Sequence, residues 1–207
     1  MIYGIFFAFF VNMPTTVERN NMSSVRGLAL MSRLEYFERI YGSDKYRDFL
    51  KKISSDEVNF FRQPVDYANT YSDKILAAID QILLEDYFEG DINKFREVGL
   101  WSADNFIYRY FSQYVDNASP PDFLLQYSRL RDHLIGSGQM IVEPVNDNLI
   151  KVNIDYGQVI PKSVCLSEQG FLQGGMEQCG ASKIKIEELG CASDSETFIC
   201  SFEIKYK

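Results

Sequence analysis

The apolar residues of this chain change their period near residue 135, and that change limits the fold more than any other feature. Upstream, they recur three and four apart, the spacing of one helix face. Leu30, Leu34, Phe37 and Tyr41 keep it over 28–41, and Gly42 is a natural stop. Ser43 and Asp44 cap a second helix over 45–53. Ser72 opens a third, with Ile75, Ile79, Ile82 and Leu83 as its stripe, ending before Gly90. Asp91 opens a fourth, which Gly99 is expected to interrupt before 103–115 continues it. Pro120 and Pro121 start a fifth, with Phe123, Leu124, Tyr127, Leu130 and Leu134 on its apolar side.

Downstream the pattern alternates, the mark of strands with one buried face. Stretches 139–145 and 149–156 alternate and are joined by Asn146-Asp147-Asn148, a hairpin turn. A helix over 164–178 follows Pro161, with Gly180 to end it, and 183–189 and 197–206 alternate again. Five or six helices followed by β-β-α-β-β predict an α+β fold, a helical layer packed on an antiparallel sheet of about four strands. With no repeat and no low-complexity linker, residues 22–207 read as a single domain.

Composition excludes some partners. The chain has 207 residues and a net charge of −8, from 29 acidic and 21 basic side chains. Phosphate backbones are repelled by such a surface, and no Lys/Arg cluster offsets it, so nucleic acid is not an expected partner. The N-terminal run MIYGIFFAFFV is too short to span a bilayer as a helix. It lacks the basic start and small-residue cleavage site of an export signal. Residues 1–21 therefore read as an extension outside the core, the only part expected to touch a membrane, on a cytoplasmic protein.

The four cysteines, Cys165, Cys179, Cys191 and Cys200, all fall in the last quarter of the chain. Their gaps of thirteen, eleven and eight residues contain no C-x2-C pair, and no histidine lies nearby, which is poor spacing for zinc. A chain with this much apolar core also has little need of disulfides. Reduced, mostly buried thiols are the favoured reading, with structural zinc and a disulfide as the alternatives.

The tail also carries an ordered set of motifs. Cys165…Gly170-Phe171-Leu172…Gly174 is followed by Glu187, Cys191, a polar turn with Asp194, and Cys200-x-Phe202-x-Ile204. This resembles the closing motif of 4-vinyl-reductase-type and haem-nitric-oxide-binding domains, whose fold is shared by TRAPP trafficking subunits. The opening VRGLALMSRLEYFERIYGSDKYRDFL and the Gly90-Asp91…Phe95…Gly99 segment resemble an uncharacterised bacterial family of the same superfamily. Asp194 follows Ser193 where the family usually has Gly. The likeness implies that Cys200, Phe202 and Ile204 point from a hairpin strand onto the 164–178 helix, and that Cys165, Cys191 and Cys200 can converge in such a fold, which leaves a redox or metal role open for them.

The resemblance raises haem-based gas sensing, but the residues argue against it. The iron-ligand position falls on Arg131, two residues before the sole histidine, His133. The propionate-binding Tyr-x-Ser-x-Arg set is replaced by Gln158-Val159-Ile160-Pro161-Lys162. An enzyme is not expected either. Cys165 with His133 and Asp132 is the only candidate set, and no nucleotide-binding, serine-hydrolase or zinc-protease motif is present.

The favoured expectation is a non-catalytic sensory or scaffold domain in bacterial signalling, without cofactor. It would hold a small apolar ligand between helices and sheet. Phe106, Tyr110, Phe111, Phe123, Tyr127 and Phe171 are the candidate pocket residues. The alternative is a filled core and a protein-interaction role, as a homodimer or docked on a signalling partner, with Trp101 as an interface anchor if exposed. A haem-based gas sensor is the minor alternative.

Overall fold

In a computed structural model, residues 24–53, 64–134, 138–193 and 197–207 are described, without the side chains at 114 and 132–134. Residues 1–21, expected to lie outside the core, are not among them. The chain runs β1 (Ser24–Arg26), α1 (Gly27–Tyr41), α2 (Ser43–Lys52), β2 (Thr70–Ser72), α3 (Asp73–Ile82), α4 (Lys94–Phe111), α5 (Pro120–Leu134), β3 (Gln139–Asn146), β4 (Leu149–Asp155), α6 (Lys162–Gln178), β5 (Lys185–Gly190) and β6 (Ile199–Lys205). Among the described residues six α-helices pack with a four-stranded antiparallel sheet and a two-stranded ribbon, an α+β fold.

The helix boundaries follow local chemistry. Gly42 ends α1 at φ 85°, a conformation that L side chains disfavour, and its N–H donates to the Glu38 carbonyl at 2.9 Å. The Ser72 hydroxyl accepts the Lys74 N–H at 3.3 Å and so caps α3. Beyond Ile82 the helix widens into a π turn over Leu83–Tyr87. β1 and β2 pair antiparallel across Val25 and Tyr71 as a short ribbon. Two expectations are corrected. α2 begins at Ser43, whose hydroxyl donates to Glu38 and caps nothing. Gly99 does not interrupt α4, which runs through it for 18 residues.

The sheet order is β3-β4-β6-β5. Across its central pair Ile150 faces Ile204, Val152 faces Phe202 and Ile154 faces Cys200, and all six are buried. They form the inner face against which α6 lays Leu172 and Met176. A second core joins α1, α2 and α3 around Phe37, whose ring stacks on Phe49 at 4.3 Å. Such an aromatic pair is worth about 0.5–1.5 kcal/mol beyond its buried area.

The two cores meet where α4 crosses α6, and small residues set that crossing. A Cβ on Gly99 would stand 2.0 Å from the Ser167 carbonyl oxygen, and one on Gly170 would stand 2.1 Å from that of Arg96. The backbones touch there because neither helix carries a side chain. Trp101 follows on α4, half-buried and edge-on to Tyr36 at 6.0 Å and to Phe106 at 5.7 Å. It ties the two cores together and does not stand free as the anchor that an interface would need. Among the described residues no helix is long and apolar enough to cross a membrane.

Candidate functional site

A cavity of about 190 Å³ lies where α1, α3, α4, α5 and α6 approach the segment that follows β4. Leu28, Leu76, Val164, Phe171, Phe106 and Tyr127 are among the side chains that line it. Of the six aromatics singled out by sequence, Phe106, Tyr127 and Phe171 line this space, and the other three do not. Tyr110 stacks on Tyr67 at 4.8 Å, Phe111 is half-buried at the end of α4, and Phe123 fills the space left by Gly175. The cavity also sits among helices. Between helices and sheet, where the sequence leads one to expect the ligand, Ile150, Val152, Phe202, Leu172 and Met176 leave a packed core.

Two buried ion pairs bound the cavity, and both hold on to α6. On one side the Arg33 Nε donates to Asp80 at 3.0 Å, while its Nη2 reaches the Ser167 hydroxyl at 2.9 Å. On the other side the Arg131 Nε donates to Glu168 at 3.3 Å and the Tyr127 hydroxyl to the same oxygen at 2.9 Å. Arg131 is fully buried, its guanidinium 4.8 Å from the centre of the Tyr156 ring. Burial works against its charge, but the Glu168 carboxylate outweighs that and holds Arg131 charged. Burial, then Glu168, pushes the Tyr127 hydroxyl well above its ordinary range, so it is a donor at all working pH. The two buried charges on the cavity wall, Arg33 and Glu168, are therefore matched within the protein.

Sequence reading placed Arg131 on the chain but not its partner, and it missed Arg33, Asp80 and Glu168. A signal existed. Asp80 follows Leu76 by four residues on a buried face, and Glu168 stands between Cys165 and Leu172 at spacings of three and four. A carboxylate on an apolar stripe calls for a buried cation.

The second feature is a cluster of thiols. The Sγ atoms of Cys165 on α6, Cys191 just after β5 and Cys200 on β6 all lie within 4.8 Å of one another, and all three residues are buried. The four cysteines are free thiols, and Cys179 stands apart, half-buried. The Ala192 N–H donates to the Cys200 sulfur at 3.4 Å, and the Cys191 sulfur lies 3.0 Å from the Ser193 hydroxyl. Hydrogen bonding from Cys165 lowers Cys200 against the effect of burial and raises Cys165 in return. Cys200 is thus the readier thiolate. Lys162, at the start of α6, is ion-paired with Glu188 of β5. Burial pulls its ammonium down, but the Glu188 hydrogen bond and the nearby Cys191 more than offset that. Three converging thiols can hold a soft cation, since thiolate is the ligand that zinc and copper(I) prefer.

No family model and no curated protein sequence matches this chain. Solved structures do. An oxygen-binding H-NOX domain related to soluble guanylate cyclases, in its oxygen complex, is similar with a TM-score of 0.68 at 17% identity, covering 88% of this chain and 95% of that one. An H-NOX protein from S. oneidensis in the Fe(II)NO state is similar with a TM-score of 0.70 at 15% identity, covering 88% of this chain and 99% of the other. A variant of Tt H-NOX gives a TM-score of 0.69 at 16% identity, covering 88% of this chain and 95% of its own. At these identities the likeness shows an H-NOX-like fold.

Proposed function

We propose that this chain is a non-catalytic sensory domain on an H-NOX-like fold, and that its cavity takes a small, largely apolar ligand. The observation that carries the reading is the cavity itself, lined mostly by aliphatic and aromatic side chains, with its buried charges Arg33 and Glu168 each held in an ion pair. Its volume suits a molecule of about one ring, since an apolar cavity of roughly 150 Å³ binds benzene. Mass spectrometry of the protein under native conditions tests this. The expected result is a retained small molecule, or uptake of benzene at one per chain. A chain that takes up neither would reject the reading in favour of a filled interaction module.

The structural neighbours include an Fe(II)NO form, so haem has to be weighed. The residues here do not fit it. The cavity is smaller than the ~300–1,000 Å³ of most sites for larger organic ligands. Arg131, which stands at the expected ligand position, is buried and committed to Glu168. Position 133 lies ~200° around α5 from it. Titration with haemin is expected to give no stoichiometric Soret band. A band lost in His133→Ala would reverse this conclusion.

The thiol cluster supports a second reading, a site for one zinc ion or another soft cation. Zinc thiolates sit at ~2.3 Å from the metal, hence ~3.8 Å from one another, so these sulfurs need only a small closing movement. Elemental analysis should find about one metal per chain, lost in Cys200→Ala. Metal-free protein that cannot be reconstituted would leave the thiols as packing groups alone.

A further inference from the structure

Five buried hydroxyls belong to residues that line the cavity, and four of them are committed to protein partners. The Ser32 hydroxyl donates to the Ala29 carbonyl at 2.8 Å, that of Ser102 to the Val98 carbonyl at 2.7 Å, and that of Ser167 to the Ser163 carbonyl at 2.8 Å. The Tyr127 hydroxyl donates to Glu168. The fifth belongs to Tyr156, the residue after β4, and among the described residues it has no hydrogen-bond partner although the side chain is buried. The residue itself is held. Its ring lies 4.8 Å from the Arg131 guanidinium, and its backbone N–H donates to the Phe198 carbonyl at 2.9 Å. A hydroxyl cut off from water and left unmatched costs stability, and nearly all such groups in folded proteins find a partner. Burial also pushes this one well above the ordinary tyrosine range, so it keeps its proton and is a donor at all working pH.

We infer that the Tyr156 hydroxyl is kept for the ligand, which is therefore a small apolar molecule carrying one uncharged oxygen acceptor, of the ketone class. This rests on the cavity reading above and deepens it. A protonated hydroxyl without a partner calls for an acceptor, and Tyr156 lines the space into which one can come. The acceptor is uncharged because the buried charges of the wall, Arg33 and Glu168, already have partners. A carboxylate brought inside would arrive without a matching cation, at a large desolvation cost. It is single because the other four buried hydroxyls of the lining have already given their protons to the protein. The remainder of the ligand is hydrocarbon, since Leu28, Leu76, Val164 and Phe171 have only carbon side chains to offer it. An apolar lining with one placed polar group is the general form of a site for a small organic molecule.

Calorimetric titration of the full chain with cyclohexanone, and with methylenecyclohexane, in which a CH2 group of the same shape replaces the oxygen, tests this. Wild type is compared with Tyr156→Phe, which keeps the ring beside Arg131 and removes only the hydroxyl. The variant is expected to bind cyclohexanone ~10-fold more weakly, because the ketone oxygen is then buried without a donor, and methylenecyclohexane as tightly as wild type does. Without ligand it should melt at or above the wild-type temperature, whereas loss of a hydroxyl with a structural role would lower it. Unchanged affinity for both ligands in Tyr156→Phe overturns the inference and leaves the cavity site standing. Equal weakening of both, together with a lowered melt, also overturns it and makes Tyr156 a packing residue. A wild-type chain that binds neither of these ligands nor benzene removes the cavity reading and the inference together.

Discussion

The Glu168 carboxylate does more than balance Arg131. It accepts from both the Arg131 guanidinium and the Tyr127 hydroxyl, so one side chain of α6 satisfies two groups of α5 that are out of reach of water. Glu168→Gln keeps the shape but removes the charge opposite a fully buried cation, and such a change costs about 3–5 kcal/mol. The expected result is a large drop in urea midpoint with an unchanged slope. The triple change Arg131→Met, Glu168→Leu and Tyr127→Phe should recover most of it, since apolar groups of similar volume strand neither a charge nor the Tyr127 hydroxyl. Cys200 gives a second test. The Ala192 N–H donates to its sulfur, so Cys200→Ser keeps an acceptor there while Cys200→Ala strands a buried donor. Serine is therefore expected to be the milder substitution in thermal melts. Sequence alone puts the two in the opposite order, because alternation places Cys200 inside but cannot show which amide faces it.

At the scale of elements, the α4–α6 crossing is the joint on which both cores and the cavity depend. Gly99→Ala would drive a methyl group to 2.0 Å from the Ser167 carbonyl oxygen, and neither backbone can yield alone. Overpacking of this kind costs about 1–3 kcal/mol, or more where backbone is the obstacle. The expected outcome is a lowered melting temperature, with Gly170→Ala equally damaging because it meets the Arg96 carbonyl in the same joint. An alanine at either site that melts like wild type would mean that the helices can separate freely. Here the limits of sequence reading are physical. The stripes of α1, α3 and α5, and the alternation of β4 and β6, depend only on local period, and they were legible. Gly99 reads as a break because a glycine that ends a helix and one that admits another helix look alike until the partner is known. The partner, Gly170, is 71 positions away in the chain.

For the whole molecule, the cavity is where the fold and the proposed function meet. Its walls come from five helices, β1 and one loop, and only three of its aromatic residues were legible, because a lining is defined by elements distant in sequence. Ala29 of α1 stands on the rim, half-buried, and offers a way to separate a ligand site from an ordinary packing defect. Ala29→Leu adds three carbon atoms directed at the space. If the cavity is the site, the variant loses uptake of benzene by at least ~10-fold. Because filling an apolar void recovers roughly 0.8 kcal/mol for each carbon that finds contacts, its melting temperature should hold or rise. The fold is then intact and the function lost, a combination that destabilisation cannot imitate. Retention of benzene at wild-type affinity in Ala29→Leu would place the ligand elsewhere. A melt that falls together with uptake would show that the space is smaller in solution than its walls suggest, and Ala29→Val, shorter by one carbon, would then be expected to bind in between.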